Sequence, residues 1–379
     1  MTSERSAEVT ADGGNGRSGE PPPRPPFRLG VFTRLVEEIA PAALYARALE
    51  LFEAAEACGF ETGWVAQHHA GNTGGLPSPL VFLAAAAART RRLRLATGII
   101  TLPLEQPLRL AEDAAVLDAL SEGRLELGFG TGGSEIVFPL FGREVERRQE
   151  EYDRAFSVVR DALAGKELLP GGPALFPPAP RLGSHLWEAT FGVEGALRAA
   201  EHGSGLLLAR TAARPASPSG GTDARLPLGE AQAPPVEAYL ERFRAAHAGS
   251  EIAPRVGLSR SLYVAPTRAE ALADAETGMR RHARQIRRRF GLGVDASVEQ
   301  LLAASDVHIG SPADVIASLR ADRLLASATD LILQVHPVDP PQEKIVRSLR
   351  LVASEVAPAL GWRPAPREQG RDLAASTLR

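Results

Sequence analysis

The segment from Thr97 to Gly132, TGIITLPLEQPLRLAEDAAVLDALSEGRLELGFGTG, contains a complete strand–helix–strand unit. Residues 94–100 are rich in apolar and β-branched side chains, as in a strand that is buried on both faces. Pro107 suits a first helical position, and apolar residues then recur at near-helical spacing up to the stop at Ser121. Residues 124–129 form a second apolar run that ends in glycines. The unit therefore predicts two parallel strands joined by a helix.

The same alternation extends along most of the chain. We expect strands at 28–33, 62–66, 94–100, 124–129, 185–189, 205–208, 255–264 and 330–335. We expect helices at 42–58, 79–89, 108–120, 144–163, 193–202, 236–247, 268–290 and 343–359. Eight strands that alternate with eight helices predict an α/β fold of the TIM-type (β/α)8 barrel class with insertions, whose active site lies at the carboxyl ends of the strands.

Length and composition agree with a single large domain. The chain has 379 residues, 44% of them hydrophobic, and we assign the barrel to residues 27–362. Residues 1–26 are poor in apolar side chains and are expected to be a disordered tail, and residues 363–379 a flexible one. A low-complexity insertion at 210–235, rich in Pro, Ala, Ser and Gly, is expected to be either disordered or a lid.

Charge and cysteine content exclude several classes of function. A net charge of -3 argues against nucleic acid as the main partner. The single cysteine, Cys58, excludes an internal disulfide framework and a cysteine-based zinc site, and no metal site is predicted. The low cysteine content favours a reducing compartment, so we expect a cytoplasmic protein. No apolar run has the roughly 18 residues that a membrane span needs, so no membrane is expected as a partner.

Candidate functional residues follow the predicted strands. The list is Thr33 and Arg34, then Gln67, His68 and His69, then Thr101, then Gly130 and Thr131, then residues 190–193, and finally Gln334 and His336. At least one of the adjacent His68 and His69 is a candidate for chemistry because of its place at a strand end, although both could instead cap a loop through backbone carbonyls. The rings of Phe138, Trp187 and Phe191 could line a substrate pocket or belong to the core.

Two glycine-rich segments suggest contact with a phosphate. Thr190, Phe191, Gly192 and Val193 lead into a helix whose N-terminus is a ready anion site, with Glu194 expected to point outward. Gly128, Gly130 and Gly133 match the dinucleotide pattern Gly-x-Gly-x-x-Gly. A dinucleotide-binding fold is nevertheless disfavoured, because an apolar stretch with a proline follows the glycines where a helix is required.

The chain resembles the bacterial luciferase-like, flavin-dependent monooxygenase family. The motifs that carry the resemblance are Leu102-Pro103, residues 107–113, residues 117–124 and residues 127–132. The resemblance implies a luciferase-like barrel in which reduced FMN and O2 form a flavin C4a-hydroperoxide that oxidises a small organic substrate. It also implies a separate flavin reductase as a partner, and a possible homodimer that pairs through early helices such as the one containing residues 84–88.

The resemblance further implies roles for individual residues. His68 matches a residue used in proton transfer, although Gln67 stands where the family has an acid. Gly98-Ile99 falls where the family places a non-prolyl cis peptide against the flavin ring. Thr101, Gly130, Thr131 and residues 190–193 would also contact the cofactor. Thr131 replaces a common arginine, which leaves Arg34 or another arginine as the charge partner of the phosphate.

Two alternatives stay open on the same barrel. A deazaflavin (F420)-dependent oxidoreductase would transfer hydride and need no oxygen. A non-catalytic flavin-binding protein would only hold the cofactor. The arginine-rich run from Met279 to Phe290 follows acidic residues on one predicted helix, so it is expected to be a solvated face rather than an anion-binding surface.

Overall fold

The alternation predicted from the sequence is present in the computed structural model, which describes residues 27–71, 74–211 and 226–364. The strands are β1 Arg28–Thr33, β2 Thr62–Val65, β3 Arg94–Thr97, β4 Ile100–Thr101, β5 Leu125–Gly130, β6 Leu186–Ala189, β7 Gly205–Leu208, β8 Val256–Val264, β9 Val307–Gly310 and β10 Asp330–Gln334. The main helices are α1 Pro41–Ala57, α2 Pro79–Arg89, α3 Pro107–Leu120, α4 Arg148–Leu163, α5 Val193–His202, α6 Leu228–Ala246, α7 Arg268–Phe290, α8 Val298–Ala304, α9 Pro312–Arg320 and α10 Gln342–Leu351.

A closed ring of parallel strands forms the centre of the fold. Its order is β10-β1-β2-β3-β5-β6-β7-β8, and pairing between β8 and β10 closes the ring. The short strand β4 pairs with β5, and β9 pairs with the last part of β8. Because every strand of the ring is parallel, all carboxyl ends lie on one face of the barrel. The predicted eight-stranded barrel is thus confirmed.

Most element bounds agree with the sequence predictions, and the differences have physical reasons. The third predicted strand is interrupted at Gly98 and Ile99, and residues 100–101 continue as β4. The elements α8, β9 and α9 were not predicted because they are short; α8 and α9 each begin with a side-chain capping box, at Ser297 and Ser311 respectively. The arginine-rich region forms α7 as predicted.

The predicted low-complexity segment is helical in its last part. Helix α6 begins at Leu228, eight residues before the predicted start at residue 236. Pro234 and Pro235 disfavour a helix interior because they lack an N–H group and crowd the preceding turn. Burial of Leu228 and Ala233 against the barrel outweighs that cost. Residues 212–225, together with both predicted tails up to residue 26 and from residue 365, lie outside the described residues.

Two tryptophans fill the interior of the barrel. Trp64 and Trp187 are fully buried and meet edge to face, with ring centroids 5.5 Å apart. Gly205 makes room for them, since a Cβ atom there would lie 2.3 Å from the Trp187 ring. Phe138 is also fully buried in a small cluster of its own. Trp187 and Phe138 therefore belong to the core, while Phe191 is 65% exposed.

A buried ionic cluster closes the amino end of the barrel. The Glu126 carboxylate accepts hydrogen bonds from Arg28 Nη1 at 2.6 Å, Arg94 Nε at 2.5 Å and Trp187 Nε1 at 2.5 Å. Burial alone would raise the pKa of Glu126, but Arg28 and Arg94 hold it well below the usual range. Since charges fill this end, the opposite end is the one open to a ligand. Within the described ranges, no helix has the length and apolar character needed to cross a membrane.

Candidate active site

The carboxyl ends of the barrel strands surround a cavity of about 880 Å³. This is in the size range of sites for drug-sized ligands and cofactors. Of the residues predicted to be catalytic or to bind the cofactor, all but one line it, namely His68, Gly98, Ile99, Thr101, Gly130, Thr131, Thr190, Phe191 and Gly192. The exception is Val193, which is the first residue of α5, is 41% exposed and does not line the cavity.

His68 lies in the loop that follows β2, where its ring meets Arg34 from the loop after β1. His68 Nε2 is 3.3 Å from Arg34 Nη2. Because a guanidinium can only donate hydrogen bonds, Nε2 is the acceptor in this contact. Burial and the positive charge of Arg34 lower the pKa of His68 to about 4, so the imidazole is neutral at pH 7. Gly74 faces the ring closely, since a Cβ atom there would lie 2.3 Å from His68 Cδ2.

Gln67 has a structural role at the position where the family has an acid. Its amide oxygen accepts a hydrogen bond from the Thr101 backbone N–H at 2.7 Å, and its amide nitrogen donates to Glu105 at 2.8 Å. Gln67 thereby ties the β2 loop to the turn after β4. A carboxylate could not make both contacts, because it has no donor when it is ionised.

The structure corrects the expectation of a cis peptide at Gly98-Ile99. Cis bonds in the described residues precede prolines, at Phe176-Pro177 and His336-Pro337. Glycine is required at position 98 because neighbouring groups approach its backbone closely. Its N–H donates to the Val65 carbonyl at 2.6 Å, and a Cβ atom on Gly98 would lie 2.1 Å from the Phe32 ring. The sequence signal was a glycine in a strand, which is equally typical of a site where another group approaches the backbone.

The N-terminus of α5 and two arginines supply hydrogen-bond donors to one side of the cavity. We call this group the anion cradle and define it as Thr190, Gly192, Gly195, Arg148 and Arg198; Arg148 also pairs with Glu135, another lining residue, at 3.8 Å. All five line the cavity. The Gly192 N–H contacts Thr190 Oγ1 at 3.2 Å, and Gly195 leaves space for that hydroxyl, since a Cβ atom would lie 2.2 Å from it. A helix N-terminus beside two guanidinium groups favours a phosphate.

Arg148 and Arg198 were not predicted from the sequence, because neither follows a strand. Arg198 lies on α5 one turn and a half after its N-terminus, where it bonds Gln149 Oε1 at 3.2 Å and Glu194 Oε1 at 3.3 Å. Arg148 is the first residue of α4. Glu194 is 93% exposed at its side chain, so it points outward as expected. Arg34, the arginine named from the sequence, also lines the cavity and contacts His68.

The opposite side of the cavity carries a second polar group at the end of β10. Gln334 and His336 line the cavity, and Asp339 lies behind His336. Asp339 Oδ2 bonds His336 Nδ1 at 2.7 Å and His282 Nε2 at 3.0 Å. Burial alone would raise the pKa of Asp339, but the two histidines hold it well below its usual range. Gln334 and His336 follow the eighth predicted strand, whereas His282 lies in α7 and gave no sequence signal.

The fold and the cavity define an α/β-barrel protein with a large cavity at the carboxyl ends of the strands. Residues 27–218 match the family model described as luciferase-like monooxygenase. The chain therefore belongs to the luciferase-like monooxygenase family. This agrees with the resemblance that the motifs between Leu102 and Gly132 indicate.

Three relatives illustrate the range of similarity. Uncharacterized protein y4wF of Sinorhizobium fredii is 36% identical over 184 residues, 46% of this chain and 54% of that protein, so this chain matches about half of its length. Limonene 1,2-monooxygenase of Rhodococcus erythropolis is 28% identical over 346 residues, 85% of this chain and 83% of that protein. The oxygenase component of a flavin-dependent trigonelline monooxygenase from Acinetobacter baylyi is 34% identical over 105 residues, 28% of this chain and 29% of that protein.

Solved structures share the whole barrel. Monooxygenase RslO1 from Streptomyces bottropensis superimposes with a TM-score of 0.69 at 25% identity, covering 88% of this chain and 100% of that chain. The oxygenating constituent of 3,6-diketocamphane monooxygenase from Pseudomonas putida, in complex with FMN, gives 0.71 at 19% identity over 88% and 98%. The coenzyme F420-dependent tetrahydromethanopterin reductase from Methanopyrus kandleri gives 0.61 at 18% identity over 88% and 99%. The last two support the fold alone.

Proposed function

We propose that this protein is an FMN-dependent monooxygenase that uses reduced flavin and O2 to oxidise a small organic substrate. The observation that carries the proposal is the anion cradle at one end of a cavity of about 880 Å³. Flavin mononucleotide matches an anion site joined to a large cavity, because it carries one phosphate and one large flat ring system. Membership of the luciferase-like monooxygenase family and the names of the relatives support the same activity.

The residues of the cavity fit FMN in both of its parts. Arg148, Arg198 and the first N–H groups of α5 would hold the phosphate. Gly98, Ile99, Thr101, Gly130 and Thr131 would lie against the ring system, where glycines keep the backbone accessible. Gly133 and Gly192 also line the cavity, and a Cβ atom on either would meet nothing within 4 Å. Bound reduced FMN supplies the two electrons that activate O2, in this proposal through a C4a-hydroperoxide.

His68 is the residue that we propose for proton transfer beside the cofactor. Its neutral imidazole, in contact with Arg34, lies in the cavity wall. A neutral histidine that bonds a guanidinium through Nε2 keeps its Nδ1 proton, which it can donate. The barrel walls would also exclude water from the reacting groups, which prevents loss of the activated oxygen as hydrogen peroxide.

A separate enzyme would supply the reduced FMN. The trigonelline relative is described as an oxygenase component, which implies that a second component exists in that system. We propose the same division here, with a flavin reductase as the functional partner in the cytoplasm and a small organic molecule as the substrate.

Rapid mixing of the full chain and photoreduced FMN with oxygenated buffer tests the proposal. We expect an absorbing flavin–oxygen adduct that outlives the reaction of free reduced FMN. Reduced FMN that reoxidises as it does in buffer alone would overturn it. The control is His68→Ala, which is expected to keep FMN affinity while substrate oxidation falls and peroxide release rises.

Two alternatives predict different outcomes in the same assay. An F420-dependent oxidoreductase would bind F420 in preference to FMN and exchange hydride with its substrate without oxygen; structures with this barrel include such enzymes. A passive flavin-binding protein would hold FMN with no change in its reaction with O2, and His68→Ala would then leave every readout unchanged.

A further inference from the structure

Two polar side chains on neighbouring strands face the cavity and do not fully satisfy each other. Gln334 on β10 is 5% exposed, and its Nε2 atom donates a hydrogen bond to Ser259 Oγ on β8 at 3.0 Å. Both residues line the cavity. The Oε1 atom of Gln334 has no hydrogen-bond partner among the described residues. Because buried polar atoms are normally paired, an unpaired oxygen in a cavity wall indicates a ligand that donates a hydrogen bond there.

Together the two side chains offer the cavity one donor and one acceptor. Ser259 Oγ accepts the bond from Gln334, which leaves the serine O–H group to donate and Gln334 Oε1 to accept. Turning the amide by 180° only exchanges the roles. Ser259 would then donate to Oε1 and keep a lone pair, and the amide N–H group would face the ligand. In both orientations the pair is complementary to a group that donates and accepts at once.

The pair lies across the barrel from the residues that would hold the flavin ring. Strands β8 and β10 pair with each other, and in the ring β10-β1-β2-β3-β5-β6-β7-β8 they are opposite β3 and β5. Residues 98–101 and 130–131, which the proposed function places against the ring system, lie at the ends of β3 and β5. A group bound by Gln334 and Ser259 would therefore belong to the substrate rather than to the cofactor.

Apolar side chains form the deeper part of the cavity beside the pair. Ile332 precedes Gln334 by two residues on β10, so it lies on the same face of the strand and further into the barrel. Ile332, Phe32, Ile99 and Leu207 line the cavity and pack in one apolar cluster with the two interior tryptophans. A ligand that fills this space is expected to be apolar apart from the group that meets the pair.

The hydrogen-bonding requirement excludes several kinds of polar group. A carboxylate, a ketone or an ether can only accept, and an ammonium group can only donate, so each leaves one atom of the pair unsatisfied. A hydroxyl group or an amide with an N–H bond donates and accepts together. His336, two residues after Gln334, adds no charge at pH 7, because burial lowers the pKa of its ring to about 4.

We propose that Gln334 and Ser259 bind the hydroxyl or amide group of an uncharged and otherwise apolar substrate. The inference rests on the proposed function and names the substrate class of that same site. The bound group donates a hydrogen bond to Gln334 Oε1 and accepts one from Ser259 Oγ. The apolar part of the substrate lies against Phe32 and Ile332 and extends towards the flavin ring. No covalent bond changes at this pair, which selects and orients the substrate.

Fluorine NMR with matched probes tests the pair without flavin or turnover. 4-Fluorobenzyl alcohol donates and accepts, whereas its methyl ether only accepts. 4-Fluorobenzamide and its N,N-dimethyl derivative give the same comparison for an amide. We expect the wild-type full chain to bind the alcohol or the amide at least about tenfold more tightly than its methylated partner, because a buried oxygen left without a donor is costly. The larger of the two ratios identifies the substrate group.

Gln334→Leu has nearly the same volume and lacks both polar atoms. It should bind the two probes of a pair equally, with the affinity for the methylated probe unchanged. Ser259→Ala is a milder variant that should lower the same ratio. The matched control is Gln342→Leu, which removes a half-buried glutamine that bonds the Arg47 carbonyl outside this cavity and should keep the wild-type ratio. A purely structural role of Gln334 would change the affinities of both probes equally.

Three outcomes overturn the inference. The first is a wild type that does not distinguish the probes of either pair, including one that binds none of them. The second is a preference that persists in Gln334→Leu. The third is tighter binding of 4-fluorobenzoate than of either neutral probe, with no loss in Gln334→Leu. That result would assign this side of the cavity to an anion, since Arg34 and Arg210 also line the cavity.

The failure of this inference and the failure of the proposed function can be told apart. FMN titration of the wild type reports on the anion cradle and not on the pair. A wild type that prefers the alcohol or the amide but does not bind FMN would contradict the flavin enzyme and leave the polar pair as a binding site. A wild type that binds FMN and stabilises its oxygen adduct, but does not distinguish the probes, would contradict only the assignment of the pair.

Discussion

The proposed phosphate site depends on the charge of Arg198 more than on the charge of any other residue. It lies beside the N-terminus of α5 and lines the cavity with Arg148. Charge-assisted hydrogen bonds contribute about 1.5–3 kcal/mol each, so Arg198→Gln should weaken FMN binding about 10- to 100-fold. Riboflavin has the same ring system and no phosphate, so its affinity should change little. Fluorescence titration with both flavins measures the difference.

The matched control is Arg154→Gln on α4. Arg154 is 57% exposed at its side chain, bonds Glu151 at 2.7 Å and does not line the cavity. Both flavins should bind this variant as they bind the wild type. An equal loss of FMN and riboflavin affinity in Arg198→Gln would contradict the phosphate role and indicate a structural one instead.

At the scale of elements, Glu126 on β5 joins several strands at the amino end of the barrel. It is fully buried and accepts hydrogen bonds from Arg28 and Arg94, which begin β1 and β3. Loss of the charge leaves Arg94 without its carboxylate partner and Arg28 with Asp330 alone, at 2.6 Å, and breaking a buried pair of this kind costs about 3–5 kcal/mol. Glu126→Gln should therefore lower the free energy of unfolding by that amount in urea denaturation.

An exposed ion pair between neighbouring helices provides the comparison. Glu53 on α1 bonds Arg89 on α2 at 2.8 Å, and both side chains are more than a third exposed. Exposed pairs contribute about 0–1 kcal/mol, so Glu53→Gln should have little effect. Equal effects of the two substitutions would show that the barrel does not depend on the buried cluster.

Elements with strong periodicity and clear end signals were predictable from the sequence. Strands β1 and β7 and helices α2, α5 and α7 have the predicted bounds. Short elements such as β9 were not predictable, because four residues without alternation carry too little signal. The start of α6 was placed too late, because the sequence shows two prolines but does not show the tertiary burial of Leu228 that outweighs them.

The candidate site was predictable where residues follow strands and unpredictable where helices contribute. His68, Gly130 and Thr190 occupy strand ends, and the barrel rule places such ends together. Arg148 and Arg198 enter the site from helices, and so does His282, so their positions depend on how α4, α5 and α7 pack on the barrel. The Asp339 contact with His336 is local in sequence, but its partner in α7 is 57 residues away.

For the whole molecule, an exposed apolar stripe on α2 and α3 predicts a homodimer. Val81 is 74% exposed, Val116 47% and Leu120 66%. Helices α2 and α3 also contact each other, so these side chains can form one continuous surface on two neighbouring helices. A second copy of the chain would bury this stripe. Sedimentation velocity should give the dimer mass for the wild type and the monomer mass for Leu120→Asp.

The control for the dimer prediction is Leu169→Asp, which adds the same charge at a residue that is 69% exposed outside α2 and α3. It should leave the dimer intact. A wild type that sediments as a monomer at concentrations well above those of the assays would contradict the prediction.

The histidines predict how the stability of the whole molecule depends on pH. The pKa values of His68, His185 and His336 are lowered to about 4, chiefly by burial, whereas unfolded histidines titrate near 6.5. Below pH 6.5 the unfolded chain therefore binds more protons than the folded chain. The stabilisation is fully present above pH 6.5 and is lost as the pH falls towards 4.

Each such histidine contributes a slope of about 1.4 kcal/mol per pH unit within that window. Asp330 has the opposite effect on the slope. Burial raises its pKa to about 6, so below that pH the folded chain holds one proton that the unfolded chain has released. Urea denaturation between pH 5 and pH 8 should therefore show a plateau above pH 6.5 and a steep loss of stability below it. His185→Gln should reduce the slope by about one proton. A free energy of unfolding that stays constant between pH 6.5 and pH 5 would show that these histidines are solvated and charged in the folded chain.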